Sequence, residues 1–186
     1  APEAMLNAKA LTELLSKNSD EKLYRRWWLT TANGTLLAYN VPADLRSLRK
    51  QVAAAVMLWQ DHHLESDASQ TNRQAPTMII LSEDCNVLVR EIEDDLLLGL
   101  EAGVPLRNRG FKTRIIIESQ DGNRLHKSNT ASDVLGTSTA STANSTISVA
   151  TSGVLSLHKK KFDAMAAAML DRFEEIGFKL PEMQYF

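Results

Sequence analysis

An Asn-Gly pair between two apolar runs constrains this fold more than any other feature of the chain. Arg26 to Thr31 leads in, with Trp27, Trp28 and Leu29 at its centre; Thr35 to Asn40 leads out through Leu36-Leu37-Ala38-Tyr39. Asn33 and Gly34 both tolerate positive φ, so the sequence predicts a two-residue type I′ turn and an antiparallel hairpin. Successive strand residues point to opposite faces. Trp27 and Trp28 are therefore sent to opposite sides of the sheet that the hairpin joins.

A helix is predicted on either side of the hairpin. Before it, Leu6, Ala10 and Leu14 recur at four-residue intervals with Leu11 and Leu15 beside them, until Asn18-Ser19-Asp20 breaks the pattern. After it, Pro42 and Asp44 form a helix start, because proline cannot continue a strand ladder and aspartate accepts hydrogen bonds from first-turn amides. Leu45, Leu48, Val52, Val56 and Trp59 then make an apolar stripe. Ala53, Ala54 and Ala55 allow close approach of another helix or sheet, from this chain or a second one.

The stretch from Leu64 to Pro76 is polar and aperiodic and reads as a connection. Thr77 to Leu81, Val87 to Ile92 and Asp95 to Leu100 read as three short antiparallel strands. Together with the hairpin they give an α+β fold, a five-stranded antiparallel sheet flanked by helices in the order α-β-β-α-β-β-β-α. A closing helix is predicted from about Ser156 to Ile176. Phe162, Met165, Met169, Phe173 and Ile176 form its stripe, and Gly177 is its stop. Lys159 to Lys161 near its start and Asp171, Glu174 and Glu175 near its end oppose the helix dipole. Either the core holds this helix or those charges meet a partner.

Residues 5–103 and 154–180 thus form one domain, interrupted by an insertion at 104–153. The insertion ends in a Ser/Thr-rich tract from Thr130 to Ser152 that has too little apolar surface to offset its ordering entropy, so it is expected to be largely flexible. Lys112 to Ser119 is the piece expected to pair as an extra edge strand. Dense hydroxyls in the tract suggest phosphorylation beside Lys159 to Lys161. Ala1 to Ala4 precede Met5, which reads as the initiator.

The 186 residues carry 21 basic and 23 acidic side chains, a net charge of −2, so composition gives no footprint for nucleic acid or an anionic bilayer. No apolar run approaches the roughly 20 residues that span a bilayer. With Cys85 as the lone cysteine and no leader-like opening, the chain reads as cytosolic or nuclear, and the sequons at Asn33 and Asn144 as chance matches. His62-His63 diverge by about 100° on a helix and cannot easily share one ion. Glu83-Asp84 and Glu91, Glu93, Asp94 and Asp95 sit at turns, where solvated carboxylates are ordinary. Cys85 has no neighbour that would activate its thiol, and no nucleophile-elbow, phosphate-loop, dinucleotide or zinc-protease motif occurs. The expectation is a non-enzyme with no catalytic, metal or cofactor residues. A small hydrolase using Asp84, Cys85 and His62 is the competing class.

The chain resembles the roadblock/longin-like family, most closely its Ragulator-type (fungal EGO-type) subunits. The carrying residues are Met5-Leu6, Lys9 to Thr12, Leu14 to Ser16, Asn33-Gly34 and Leu36 to Tyr39. Val52 to Ala55 with Trp59, the Asp84-Cys85 turn, Leu96 to Leu98 and the final helix continue the likeness. The resemblance implies dimerisation with a second roadblock-like subunit through the second helix and third strand, two sheets joining into one. Thr77 to Leu81 would otherwise be an exposed apolar edge. The implied interface is Arg49, Val52, Ala53, Val56, Met57 and Gln60 with Met78 and Ile80.

It further implies a scaffold on the late endosomal, lysosomal or vacuolar surface, held there by a lipid-anchored subunit and so touching membrane only indirectly. Such a scaffold recruits Rag GTPases for amino-acid signalling to TOR complex 1, and any guanine-nucleotide exchange belongs to the assembly. A roadblock-type dynein light chain or a GTPase-regulating homodimer is the alternative within the family. The insertion at 104–153 departs from the family's short animal members.

Overall fold

The computed structural model describes residues 8–66, 76–83, 85–93, 95–104, 113–118, 124–129 and 140–176; for 63–66, 124–129, 140–152 and 176 it describes the backbone alone. In chain order the elements are α1 (Ala8–Lys17), β1 (Tyr24–Thr31), β2 (Leu36–Tyr39), α2 (Leu45–Ser66) and β3 (Thr77–Leu81). They continue with β4 (Cys85–Glu93), β5 (Leu96–Gly103), β6 (Arg114–Glu118), β7 (Arg124–Asn129) and α3 (Ala140–Ile176). All the strands join one antiparallel sheet in the order β2-β1-β5-β4-β3-β6-β7. The α+β class and the helix-flanked antiparallel sheet are as the sequence predicts. The strand count is not: among the described residues the sheet has seven strands rather than five.

The sheet is covered on both faces. Against one face α1 and α3 enclose Leu11, Leu15, Trp27, Leu29, Ile79, Leu88, Leu98, Leu100, Phe162, Met165, Met169 and Phe173. Against the other, α2 encloses Trp28, Leu48, Val52, Val56, Met78, Ile80, Val89, Leu97 and Ile115. Alternation along each strand accounts for this division, since Met78 and Ile80 face α2 while Ile79 and Leu81 face α3. At about 1.5–3 kcal/mol per fully buried large side chain, Phe162, Met165, Met169 and Phe173 make α3 a principal contributor to the core.

Trp27 and Trp28 are both fully buried, one in each layer. Trp27 stacks on Phe162 at 6.2 Å between centroids, and its indole Nε1 donates to the Asn18 carbonyl at 3.1 Å. Trp28 pairs in register with Gly99 of β5. A Cβ at Gly99 would lie 2.1 Å from the Trp28 ring, so only glycine lets the indole cross that strand. Gly99→Ala should therefore cost at least about 2 kcal/mol of stability through overpacking, read from the shift in denaturant midpoint at unchanged m-value.

The hairpin forms, but with a different turn. The Gly34 amide donates to the Thr31 carbonyl at 3.0 Å and the Thr31 amide to the Thr35 carbonyl at 2.9 Å. Gly34 has φ of 95°, whereas Asn33 is not among the positive-φ residues. This is a three-residue loop, Ala32-Asn33-Gly34, with a type I turn and a left-handed glycine, and not the two-residue type I′ turn. The register shift between Leu29 and Thr30 absorbs the additional residue. Asn33 serves as an acceptor, its Oδ1 taking the Thr35 hydroxyl at 3.2 Å.

Both predicted helix signals near the hairpin hold. Asn18 Nδ2 closes α1 on the Leu14 carbonyl at 2.8 Å. Asp44 caps α2, accepting from the Arg46 amide at 3.2 Å and the Ser47 hydroxyl at 2.7 Å. The Ser47 hydroxyl and then the Arg46 amide hold its carboxyl below the usual range. In α1 the buried pair is Leu11 and Leu15, with Ala10 and Leu14 half-buried, while Met5 and Leu6 lie outside the described residues.

Three expectations near the C-terminal side need correction. The third strand is not an edge, because β6 pairs with β3 along its whole length, from Thr77 opposite Glu118 to Leu81 opposite Arg114. β6 itself is the extra strand expected at Lys112 to Ser119, but β7 lies outside it. Finally, α3 begins at Ala140 rather than about Ser156. Serine and threonine cost only tenths of a kcal/mol in a helix, too little to stop one that is anchored downstream. Lys159 to Lys161 consequently sit in mid-helix, away from the N-terminal dipole charge. Residues 105–112, 119–123 and 130–139 of the insertion, the Asp84 and Asp94 turn positions, and Gly177 lie outside the described residues.

Within α3 the exposed Gly153 would meet nothing within 4 Å if it carried a Cβ. Gly153→Ala should raise stability by about 0.5–1 kcal/mol, seen as a small rise in thermal midpoint.

The lysines are used inside the fold. Lys159 pairs with the buried carboxylate of Glu118 on β6. Lys161 Nζ donates to Asn18 Oδ1 at 2.9 Å and lies 5.5 Å from the Tyr24 ring centroid. Arg90 of β4, itself buried, pairs with Asp163, donates from Nε to Thr77 Oγ1 at 2.9 Å and stands 5.1 Å from the Phe162 centroid. His158, fully buried, sits edge-on to Tyr24, with its Nδ1 3.3 Å from the buried Asn86 Nδ2.

Burial pushes the His158 pKa below its ordinary value. The folded state then binds fewer protons than the unfolded chain below about pH 6.5. Stability should fall as pH drops from that point towards the folded-state pKa. His158→Gln should flatten this slope, measured as unfolding free energy between pH 7 and 5.

Candidate protein interface

The capping Asp44 starts α2 with its inner stripe down on the sheet, which fixes what the outer face must show. Leu48, Val52, Ala55 and Val56 are buried. Four-residue steps on the opposite side carry Leu45, Arg49, Ala53 and Met57, all exposed, with Arg46, Lys50 and Ala54 beside them. Met57 is 65% exposed and Leu45 39%. An unbranched methionine among alanines is an adaptable apolar contact surface, and the basic side chains on the N-terminal half set its charge.

The eight residues expected at an interface divide between these two sides. Val52, Val56, Met78 and Ile80 belong to the chain's own α2-side core. Arg49, Ala53 and Met57 lie on the outer face. Gln60 is also exposed, and its Nε2 donates to the Ala32 carbonyl at 2.8 Å, tying α2 to the tip of the first hairpin. That tip is tied again where the Ala32 amide meets the Asp95 carbonyl at 2.8 Å. Leu45 joins the outer face although the sequence stripe assigns it to the core. Its four-residue spacing to Arg49 and Ala53 was the available signal, masked by the equal fit of Leu45 with Leu48.

Among the described residues no group of three His, Cys, Asp or Glu side chains is placed to hold a metal ion. Cys85 is half-buried at the start of β4, packed against the α2-side core. His62 is half-buried on α2; Asp84 and the His63 side chain lie outside the described residues. No helix among the described residues is long and apolar enough to cross a membrane.

No family model matches the chain, and no curated protein matches it. Among solved structures, MglB with tetrameric arrangement is similar to it at a TM-score of 0.37 and 22% identity, over 53% of this chain and 76% of that one.

Proposed function

We propose that this chain is a non-enzymatic scaffold subunit that binds a second roadblock-type subunit through the outer face of α2. The observation that carries the reading is the exposure of Met57, beside Ala53 and Ala54 and in line with exposed Leu45, on a helix whose inner face is already filled. A helix in that state offers an apolar surface that a partner can cover without disturbing the core. The resemblance to Ragulator/EGO-type subunits gives the reading its context. The pair would be held on the cytoplasmic face of the late endosome, lysosome or vacuole by a lipid-anchored subunit. There it would recruit Rag GTPases for amino-acid signalling to TOR complex 1.

In this reading the chain supplies surface rather than catalytic groups, and nucleotide exchange belongs to the assembly. Co-expression with a second roadblock subunit should give a stable one-to-one species. Met57→Glu should weaken that species at least about tenfold while leaving the lone chain's unfolding midpoint unchanged, since the side chain is mostly solvated. Unaltered affinity for Met57→Glu, or a lone chain that captures no roadblock subunit, would refute the proposal. Affinity purification that returns dynein rather than Rag GTPases would reassign the complex.

A further inference from the structure

Asn33-Gly34 is the one Asn-Gly step in the sequence, and the fold sets it at the tip of the first hairpin with Asn33 exposed. Asn33 Oδ1 accepts from the Thr31 hydroxyl and, at 3.2 Å, from the Thr35 hydroxyl, with the Thr35 amide at 3.4 Å. Gly34 has no heavy atom within 4 Å of where a Cβ would stand, so neither its own side chain nor a neighbour's crowds the residue on that side.

Such a pair can react with itself. The Gly34 nitrogen attacks Asn33 Cγ, forming an N–Cγ bond; the Cγ–Nδ2 bond breaks, and Nδ2 leaves as ammonia with the hydrogen that the Gly34 nitrogen carried. Water then opens the five-membered imide. Cleavage at Cγ gives aspartate with a normal main chain, and cleavage at the Asn33 carbonyl gives isoaspartate. Nothing is oxidised or reduced, and the net change is water in, ammonia out.

The loop both restrains this reaction and suits one of its products. The Gly34 amide donates to the Thr31 carbonyl at 3.0 Å, so the nitrogen is tied until the tip opens. Two further bonds resist opening, from the Ala32 amide to the Asp95 carbonyl and from Gln60 Nε2 to the Ala32 carbonyl, both at 2.8 Å. Once the amide is gone, a carboxylate oxygen accepts from Thr31 and Thr35 as Oδ1 does, now with charge assistance. Isoaspartate instead puts an additional main-chain carbon inside the closure from Thr31 to Gly34.

We propose that Asn33 is a self-modification site: it deamidates when the hairpin tip opens, and the tip recloses on the aspartate product. The new negative charge lies at the end of the sheet that Gln60 ties to α2. The proposal is independent of a partner on α2.

The full chain is incubated at neutral pH, folded and in guanidinium chloride, and the tryptic peptide from Trp27 to Arg46 is followed by mass with aspartate and isoaspartate separated. The folded chain should lose the Asn33 amide at least about tenfold more slowly than the denatured one, because only the open tip reacts. Gln60→Ala removes one tie and should quicken the folded reaction at least about twofold. Asn33→Gln, whose ring would have six members, should abolish it. Asn33→Asp should unfold at the parent's denaturant midpoint or above, and Thr35→Val should lower the midpoint of Asn33→Asp more than that of the parent.

An amide that persists in the folded chain for about a hundredfold the denatured half-life overturns the proposal. So does loss at equal rates folded and denatured, a folded rate indifferent to Gln60→Ala, or an Asn33→Asp chain that unfolds below the parent.

Discussion

Two tryptophans at successive positions of one strand require a sheet that is dry on both faces. Trp27 and Trp28 cannot share a layer, and each is fully buried. The Trp27 side needs an acceptor for its indole and an aromatic neighbour, supplied by Asn18 at the end of α1 and Phe162 of α3. Trp28 needs a strand neighbour with no side chain, which is Gly99. The three-layer arrangement follows, and so does the unbroken apolar run Leu96-Leu97-Leu98 in β5, whose members feed alternate layers. A sheet with one wet face would show alternation there instead.

Where local chemistry decides, the sequence was legible. Asp44 caps α2, Asn18 ends α1, and the Phe162 to Phe173 stripe packs as its spacing requires. The hairpin was legible in existence but not in turn type. Gly34 alone takes the left-handed conformation, and Thr30 and Thr31 bond across the loop to Thr35, which favours the longer closure. Where tertiary pairing decides, the sequence was silent. Nothing in Arg114-Ile115-Ile116-Ile117-Glu118 says that its partner is β3, because three isoleucines in a row suit any strand with two buried faces. The lysines at 159 to 161 misled for a related reason: read one helix at a time they oppose a dipole, and only the sheet shows Glu118 and Asn18 waiting for two of them.

Those ionic contacts do something that apolar burial cannot. Leucine and methionine tolerate sliding by a few ångströms, whereas Arg90 to Asp163 and Glu118 to Lys159 each fix α3 at one register over the sheet. Removing Asp163 takes the ion pair from the buried Arg90, and removing Lys159 takes it from the buried Glu118, each a larger cost than the pair's own contribution. Asn18 performs the equivalent task with neutral groups. It caps α1, accepts the Trp27 indole and receives Lys161, so a single side chain and its carbonyl join α1, β1 and α3.

The same division between filled and open surfaces separates the residues at which the resemblance implies a second chain. A partner on the outer face of α2 would touch Leu45, Arg49, Ala53 and Met57, none of which belongs to the buried core. Association there would leave the core packing as it is. The β3 edge that the resemblance implies at an interface is instead covered by β6, with three buried isoleucines and the Glu118–Lys159 pair. Of the eight residues that the resemblance implies at one interface, Arg49, Ala53, Met57 and Gln60 therefore lie on the exposed side of α2. Met78 and Ile80 lie on a strand paired on both sides, in the same core as Val52 and Val56.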